Sequence, residues 1–265
     1  MSIRIVVAGA GGRMGGRIIH QIAASDDLAL SGALEREGFE ELGKDAGSHA
    51  GCGEMGVALT SDSSALSGDV LVSFAIPEAS VAHARLAAGK GMAAVVGTTG
   101  FSDAQREEIS GLGDSIACVL APNMSVGVNV SFRLIEEAAR LLGEAYDIEV
   151  IETHHNQKID APSGTAVRMG EILCNVTGKQ YPEDAVFHRE GHTGVRPEGV
   201  IGMQTLRGGD VPGEHTVYFF GMGERVEITH RAGSRDNFAA GAVRAIRWVA
   251  DKSPGIYGMD DVLGL

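Results

Sequence analysis

Two adjacent histidines and a lysine stand in IETHHNQKIDAPSGTA, residues 151–166, directly ahead of a Pro-Ser-Gly-Thr turn. Histidine titrates near neutrality, so His154 can donate a proton, while Lys158 can hold a charge or donate as well. If the segment begins extended, period-two alternation sends His154, Asn156 and Lys158 to one side and His155 and Gln157 to the other. Pro162 ends regular pairing, and Ser163 has the side chain of a helix N-cap. The backbone N–H groups of Gly164 and Thr165 then lie at the mouth of the next helix, where they seat an anion. A carboxylate gains about 0.3–1 kcal/mol there when exposed and up to ~2 when partly buried, before any charged hydrogen bond from Lys158. The bland alternative is a packed His155 and a solvated Lys158; clustering beside DAPSGT favours chemistry.

A second group of residues opens the chain. In VVAGAGGRMGGRI, Gly9, Gly12 and Gly15 follow an apolar strand pattern and begin a helical one. Gly9 permits a tight turn, Gly12 lets the backbone approach a pyrophosphate, and Gly15 allows close packing of helix on strand. Glu35 stands where an acidic residue accepts hydrogen bonds from the adenosine ribose, and the guanidinium of the adjacent Arg36 can pair with a 2′-phosphate. VVGTTGF and APNMSVGVN close two further strand patterns, at the edge where doubly wound sheets bind ligands.

Other chemistries find less support. His188 and His192 are four apart in FHREGHTG, but Arg189 occupies the place where a zinc protease needs glutamate, and Gly191 weakens the helix. No metal site is expected. No G-x-S-x-G elbow marks a nucleophilic serine. Cys52, Cys118 and Cys174 are odd in number and widely separated, which fits a reducing cytoplasm and no catalytic thiol.

The elements that must position these groups alternate. IRIVVAG, LALSGAL, DVLVSFA, MAAVVGT and SIACVLA read as buried parallel strands, with helices near residues 14–25, 78–89 and 102–112. That rhythm predicts a Rossmann-type doubly wound α/β sheet. Residues 36–68 read as a long surface excursion. After a helix over residues 128–142 the pattern changes: strands YDIEVIETHH, VIGMQTLRG, EHTVYFFG and ERVEITHRAG, with a helix over 165–176, predict a second α+β domain on a mixed or antiparallel sheet. A helix over 237–251 then precedes the tail. At 265 residues with 44% hydrophobic content the chain can build a substantial core without staples. Its net charge of −13 repels nucleic acid and anionic membranes, so an anionic substrate needs a local cationic pocket. No apolar run approaches the roughly 18 residues of a membrane span, and the first residues do not read as a signal peptide.

GAGGRMG, ALEREG, GTTGF, APNMSVGVN, HHNQKIDAPSGTA, REGHTG, GEHTVYF, GERVEITHRAGSRDNFAAGA and GIYGMDDVL closely resemble the 4-hydroxy-tetrahydrodipicolinate reductase (dihydrodipicolinate reductase) family over nearly the whole chain. HHNQKIDAPSGTA is the most specific of them. The resemblance implies reduction, with NADH or NADPH, of a cyclic dicarboxylate formed from aspartate semialdehyde and pyruvate. Water is lost and tetrahydrodipicolinate results, in diaminopimelate and lysine biosynthesis. It further implies that His154 is the proton donor and Lys158 the second donor, and that His155 with the Gly164 and Thr165 amides holds a substrate carboxylate. The implied cofactor site comprises Gly9, Ala10, Gly11, Gly12, Arg13, Met14, Glu35, Arg36, Gly97, Thr98, Thr99, Ala121, Pro122, Asn123 and Met124. Residues 1–124 and 236–265 would form the dinucleotide-binding domain, and 125–235 a substrate-binding and oligomerisation domain that builds a homotetramer. Arg235, near the return, can neutralise a carboxylate. Two alternatives stay open on the residues themselves: another small-acid or semialdehyde dehydrogenase on the same fold, and a nucleotide-sensing protein without turnover.

Overall fold

The computed structural model describes residues 2–265. In chain order the elements are β1 (Ile3–Ala8), α1 (Arg13–Ala23), β2 (Leu28–Leu34), α2 (Ala46–Ala50), β3 (Leu59–Thr60), β4 (Val70–Ser73), α3 (Pro77–Gly89), β5 (Ala93–Val96), α4 (Asp103–Gly111), β6 (Ala117–Leu120), α5 (Val126–Leu142), β7 (Asp147–His154), α6 (Gly164–Val176), β8 (Ala185–Val186), β9 (Ile201–Arg207), β10 (Glu214–Gly221), β11 (Glu224–Arg231), α7 (Asp236–Val249), β12 (Gly255–Tyr257) and α8 (Met259–Leu263). They divide into two compact units: the chain up to Val126 with Asp236–Leu265, and Gly127–Arg235.

The first unit is a seven-stranded parallel sheet in the order β3-β2-β1-β4-β5-β6-β12. Its central strands are apolar on both faces because both faces are covered. On one side α1 buries Ile18, Ile19 and Ile22, and α7 buries Ala242 and Ile246, in one cluster with Ile5 and Val7. Each such isoleucine contributes about 1.5–3 kcal/mol relative to exposure. On the other side α3 and α4 bury Val81, Ala84 and Ile109 against Val6, Leu71 and Ala94. Strand order reverses between β1 and β4, and in a doubly wound sheet that reversal opens a crevice at the carboxyl ends.

Residues 36–68 depart from the expected surface excursion. Ala46, Leu59 and Leu66 are buried, and β3 extends the sheet by pairing with β2. The Asp45 carboxylate organises this stretch, capping α2 at Ser48 N and accepting also from the amides of Met55 and Val57.

The second unit is a five-stranded mixed sheet, β11-β10-β7-β9-β8, in which β7, β9 and β8 run parallel and β10 runs antiparallel to both β7 and β11. Ile135 and Ala139 of α5 and Met169 and Leu173 of α6 pack with Val150, Met203, Val217 and Phe219 of the sheet. β7 alternates strictly, with Ile148, Val150, Glu152 and His154 facing inward. The strand ends at His154, so the expected alternation stops there. Lys158 N–H donates to His155 O in a turn, and neither Asn156 nor Lys158 belongs to the strand.

Candidate active site

In the first unit, the β1–α1 turn is shaped by its glycines. Gly9 has φ +73°, in the left-handed region that favours glycine. A Cβ on Gly15 would lie 2.2 Å from Gly9 O and 2.8 Å from Ala10 Cα, so only glycine lets α1 approach the turn this closely. Gly12 precedes α1 as its N-cap and offers no side-chain cap, and the first turn holds no acidic residue, leaving the amide end open to an anion. Glu35, at the end of β2, accepts from Gly11 N–H at 3.0 Å and from Arg36 N–H at 3.0 Å. A cavity of about 1090 Å³ opens here, lined by Gly9, Gly12, Glu35, Arg36, Ser61 and Lys90 among others.

The segments after β5 and β6 lie at the same edge of the sheet. Gly97 is pressed against Phe74, whose ring atoms would be 2.1 Å from a Cβ there. Thr98 is buried, and its hydroxyl donates to Ala75 O at 3.0 Å. That leaves Thr98 Oγ1 to accept from Ser80 at 2.6 Å, Ser80 to accept from Ser73 at 3.1 Å, and Ser73 to accept from His83 Nδ1–H at 2.9 Å. The chain of hydroxyls ties the ends of β4 and β5 to α3; burial pushes the His83 imidazole down, with the Glu35 charge opposing. Ala121 and Met124 are buried, Pro122 and Thr99 exposed, and Asn123 Oδ1 accepts from Ser125 N–H. Ala10, Arg13 and Met14 complete the β1–α1 turn.

In the second unit, His154 is 9% exposed at the end of β7. The β9–β10 loop holds the chain on either side of it: Gly208 N–H donates to His154 O, and His155 N–H to Val211 O. Gly213 leaves room for the ring, since a Cβ there would meet His154 Nε2 at 2.9 Å. Lys158 is largely covered and its Nζ lies 2.8 Å from Asp160 Oδ1. Ser163 caps α6, its Oγ accepting from Ala166 N–H, with Gly164 exposed and Thr165 half-buried in the first turn. His154, His155, Lys158, Gly164 and Thr165 thus share one end of the second unit. Arg235 is the last residue of that unit.

Four residues beyond those expected build the same cluster. Glu152, 1% exposed, accepts from His154 Nδ1 at 2.6 Å, from Ser163 N–H at 3.0 Å and from both Nη atoms of Arg207 at 2.8 Å. Thr205 Oγ1 is 3.3 Å away. Burial alone pushes the Glu152 carboxyl up; the hydrogen bonds from His154, Arg207 and the Ser163 amide outweigh it and hold it at about 2. His215 lies edge-on to His154, ring centres 5.2 Å apart, with Nε2 2.9 Å from Ser163 Oγ. Burial, then the His154 charge, push His215 down to about 3, so it is neutral at working pH. The alternation of β7 carried the signal for Glu152. Arg207 and His215 meet it only through pairing across β9 and β10.

Arg189, in the place where a zinc motif needs glutamate, makes a bidentate pair with Glu149, and Arg196 binds the same carboxylate. Among the described residues no group of three or more His, Cys, Asp or Glu is placed to hold a metal, and no helix is long and apolar enough to cross a membrane.

Family models match both halves of the chain. The family model "Dihydrodipicolinate reductase, N-terminus" matches residues 3–124, and "Dihydrodipicolinate reductase, C-terminus" matches residues 127–263. The 4-hydroxy-tetrahydrodipicolinate reductases of Syntrophotalea carbinolica and Geobacter metallireducens are each 53% identical to this chain, over 265 and 266 residues, covering 99% of both partners. A dipicolinate-bound dihydrodipicolinate reductase from Paenisporosarcina sp. TG-14 superposes with a TM-score of 0.76 at 24% identity, covering 97% of this chain and 98% of its own. The family and the Rossmann-type sheet imply a pyridine nucleotide cofactor, and the uncapped α1 terminus, Glu35 and the cavity beside it fit one. The chain belongs to the dihydrodipicolinate reductase family.

Proposed function

We propose that the chain reduces 4-hydroxy-tetrahydrodipicolinate to tetrahydrodipicolinate with loss of water, in diaminopimelate and lysine biosynthesis. The observation that carries this reading is the grouping of a buried imidazole, an ammonium and a capped helix N-terminus within residues 154–165. A pyridine nucleotide, when bound, supplies the hydride. The first unit would hold it: the amides at the start of α1 would receive the pyrophosphate, and Glu35, which already accepts from Gly11 N–H, would accept from the ribose hydroxyls. In the second unit His154 delivers the proton and Lys158 is the second donor. His155 and the Gly164 and Thr165 amides hold a carboxylate of the substrate ring, and the α6 terminus adds its dipole. A dicarboxylate substrate accords with the dipicolinate carried by the Paenisporosarcina relative. The reading includes a homotetramer in the cytoplasm, in keeping with three unpaired cysteines.

Purified protein is expected to oxidise the reduced nucleotide when given the freshly formed condensation product of aspartate semialdehyde and pyruvate. It is expected not to do so with aspartate semialdehyde alone. Turnover of the semialdehyde alone would point instead to a different dehydrogenase on this fold.

Both NADH and NADPH are proposed to serve. Arg36 lines the cavity beside Glu35, and its exposed guanidinium is free to turn toward a 2′-phosphate. A charged hydrogen bond there is worth about 1.5–3 kcal/mol, so Arg36→Ala should weaken NADPH at least about tenfold and leave NADH nearly unchanged. Equal losses for both nucleotides in a fluorescence titration would remove Arg36 from that role.

A further inference from the structure

A carboxylate with five donors around it and almost no solvent needs a reason to be there. Glu152 receives His154, Ser163, Thr205 and both arms of Arg207. Buried ion pairs add little net stability compared with apolar side chains of the same volume, so stability alone does not account for this one. Its geometry does. An ionised carboxylate only accepts hydrogen bonds, and the 2.6 Å contact therefore places a proton on His154 Nδ1 and leaves Nε2 as the atom that gains or gives one. The second oxygen takes Ser163 N–H, the amide at the start of α6. One side chain thus holds the orientation of the imidazole and the origin of the anion seat together.

We infer that Glu152 and Arg207 are positioning residues that act through His154: Glu152 fixes the ring's tautomer and sets a carboxylate charge against its Nδ1–H, and Arg207 restrains that influence by sharing the carboxylate. This rests on the reading of His154 as proton donor. The two residues have opposite effects. Without Glu152 a proton at Nε2 has no carboxylate charge across the ring from it; without Arg207 it has that charge undiluted. Other charged or titratable groups nearby among the described residues are His155, next in the chain, His215 on β10, whose ring meets His154 edge-on, His230 on β11 and Lys158, which both act on His215, and Asp160, which pairs with Lys158. Burial pushes both His215 and His230 down, and Lys158 and Asp160 are paired with each other. These groups are the same in both variants.

The test is kcat/KM against pH for Glu152→Gln, Arg207→Gln and His154→Gln in the full-length protein, with NADH affinity as the check on folding. Glu152→Gln should lower kcat/KM about 10²-fold and move its alkaline fall about one pH unit lower. An unmoved fall in that variant overturns the proposal, because loss of packing alone reduces rate without displacing the profile. If Glu152→Gln does not accumulate as folded protein, Arg207→Gln decides. Displacement of its alkaline fall to higher pH sustains the proposal, and no displacement or the reverse overturns it. His154→Gln separates this from the reading beneath it. An alkaline fall that survives in His154→Gln dismisses His154 as donor, whereas one that vanishes there yet stays put in Glu152→Gln dismisses only the role of Glu152.

Discussion

Lys158→Ala should lower kcat/KM at least about 10²-fold while NADH affinity stays within about a factor of two of the parent. A loss of that size is about 2.7 kcal/mol of transition-state stabilisation, far more than the structure assigns to Lys158 for folding. Among the described residues it pairs with Asp160, whose carboxylate is 55% exposed, and pairs of that kind contribute about 0–1 kcal/mol. Asp160, left alone, is simply hydrated. The melting temperature of the variant should therefore barely move, and the defect should be chemical. Lys158 also belongs to the second unit, whereas the turn, the acidic residue and the cavity that fit a nucleotide all lie in the first. Steady-state kinetics beside a fluorescence titration with NADH separates the cases. Parallel loss of nucleotide binding would mean that Lys158 serves the cofactor, and a kinetic loss below tenfold would leave it without a donor's part.

What the sequence made legible follows from the range of the interactions involved. The strands of the parallel sheet are apolar because both faces are covered, and the β1–α1 turn is written in closely spaced glycines, so a window of a dozen residues contains the whole cause. The same holds for His154, Lys158 and the Ser163 cap, which span the end of β7 and the loop that follows it. Glu152 was half legible: the alternation Ile148, Val150, Glu152, His154 puts it on the inward face, but the partner that makes a buried carboxylate tolerable, Arg207, is 55 residues away. His215 is similar, since nothing near it in the chain announces Ser163 as its partner. β3, β8 and β12 are too short to show a period and exist because a neighbouring strand offers its edge. Residues 36–68 looked like a surface excursion because their order comes from one carboxylate, Asp45, gathering amides from Ser48, Met55 and Val57. Lys158 illustrates the converse: β7 ends at His154 and the backbone then turns, so period-two alternation does not set the side on which Lys158 lies.

The glycine turn gives the sharper structural prediction, because two neighbouring glycines in α1 should respond with opposite signs. In a helix, Gly→Ala ordinarily gains about 0.5–1 kcal/mol from the reduced freedom of the unfolded chain. At Gly16 a new Cβ would meet Ala50 Cβ at 3.9 Å, an ordinary contact, so Gly16→Ala should match or exceed the parent in melting temperature and bind NADH as well. At Gly15 the same methyl would lie 2.2 Å from Gly9 O and 2.9 Å from Gly9 C, and none of these backbone atoms can rotate away as a side chain would. Overpacking of that kind costs about 1–3 kcal/mol and outweighs the entropic gain, so Gly15→Ala should melt below the parent. Relief requires the β1–α1 turn to move, carrying with it the amides at the start of α1. Two charged hydrogen bonds to a pyrophosphate, lost or lengthened at about 1.5 kcal/mol each, correspond to at least about 10²-fold in NADH affinity. Thermal melts and NADH titrations of the two variants side by side provide the measurement. If Gly15→Ala binds NADH as tightly as Gly16→Ala, the pyrophosphate is not seated on this turn, whatever the family does elsewhere.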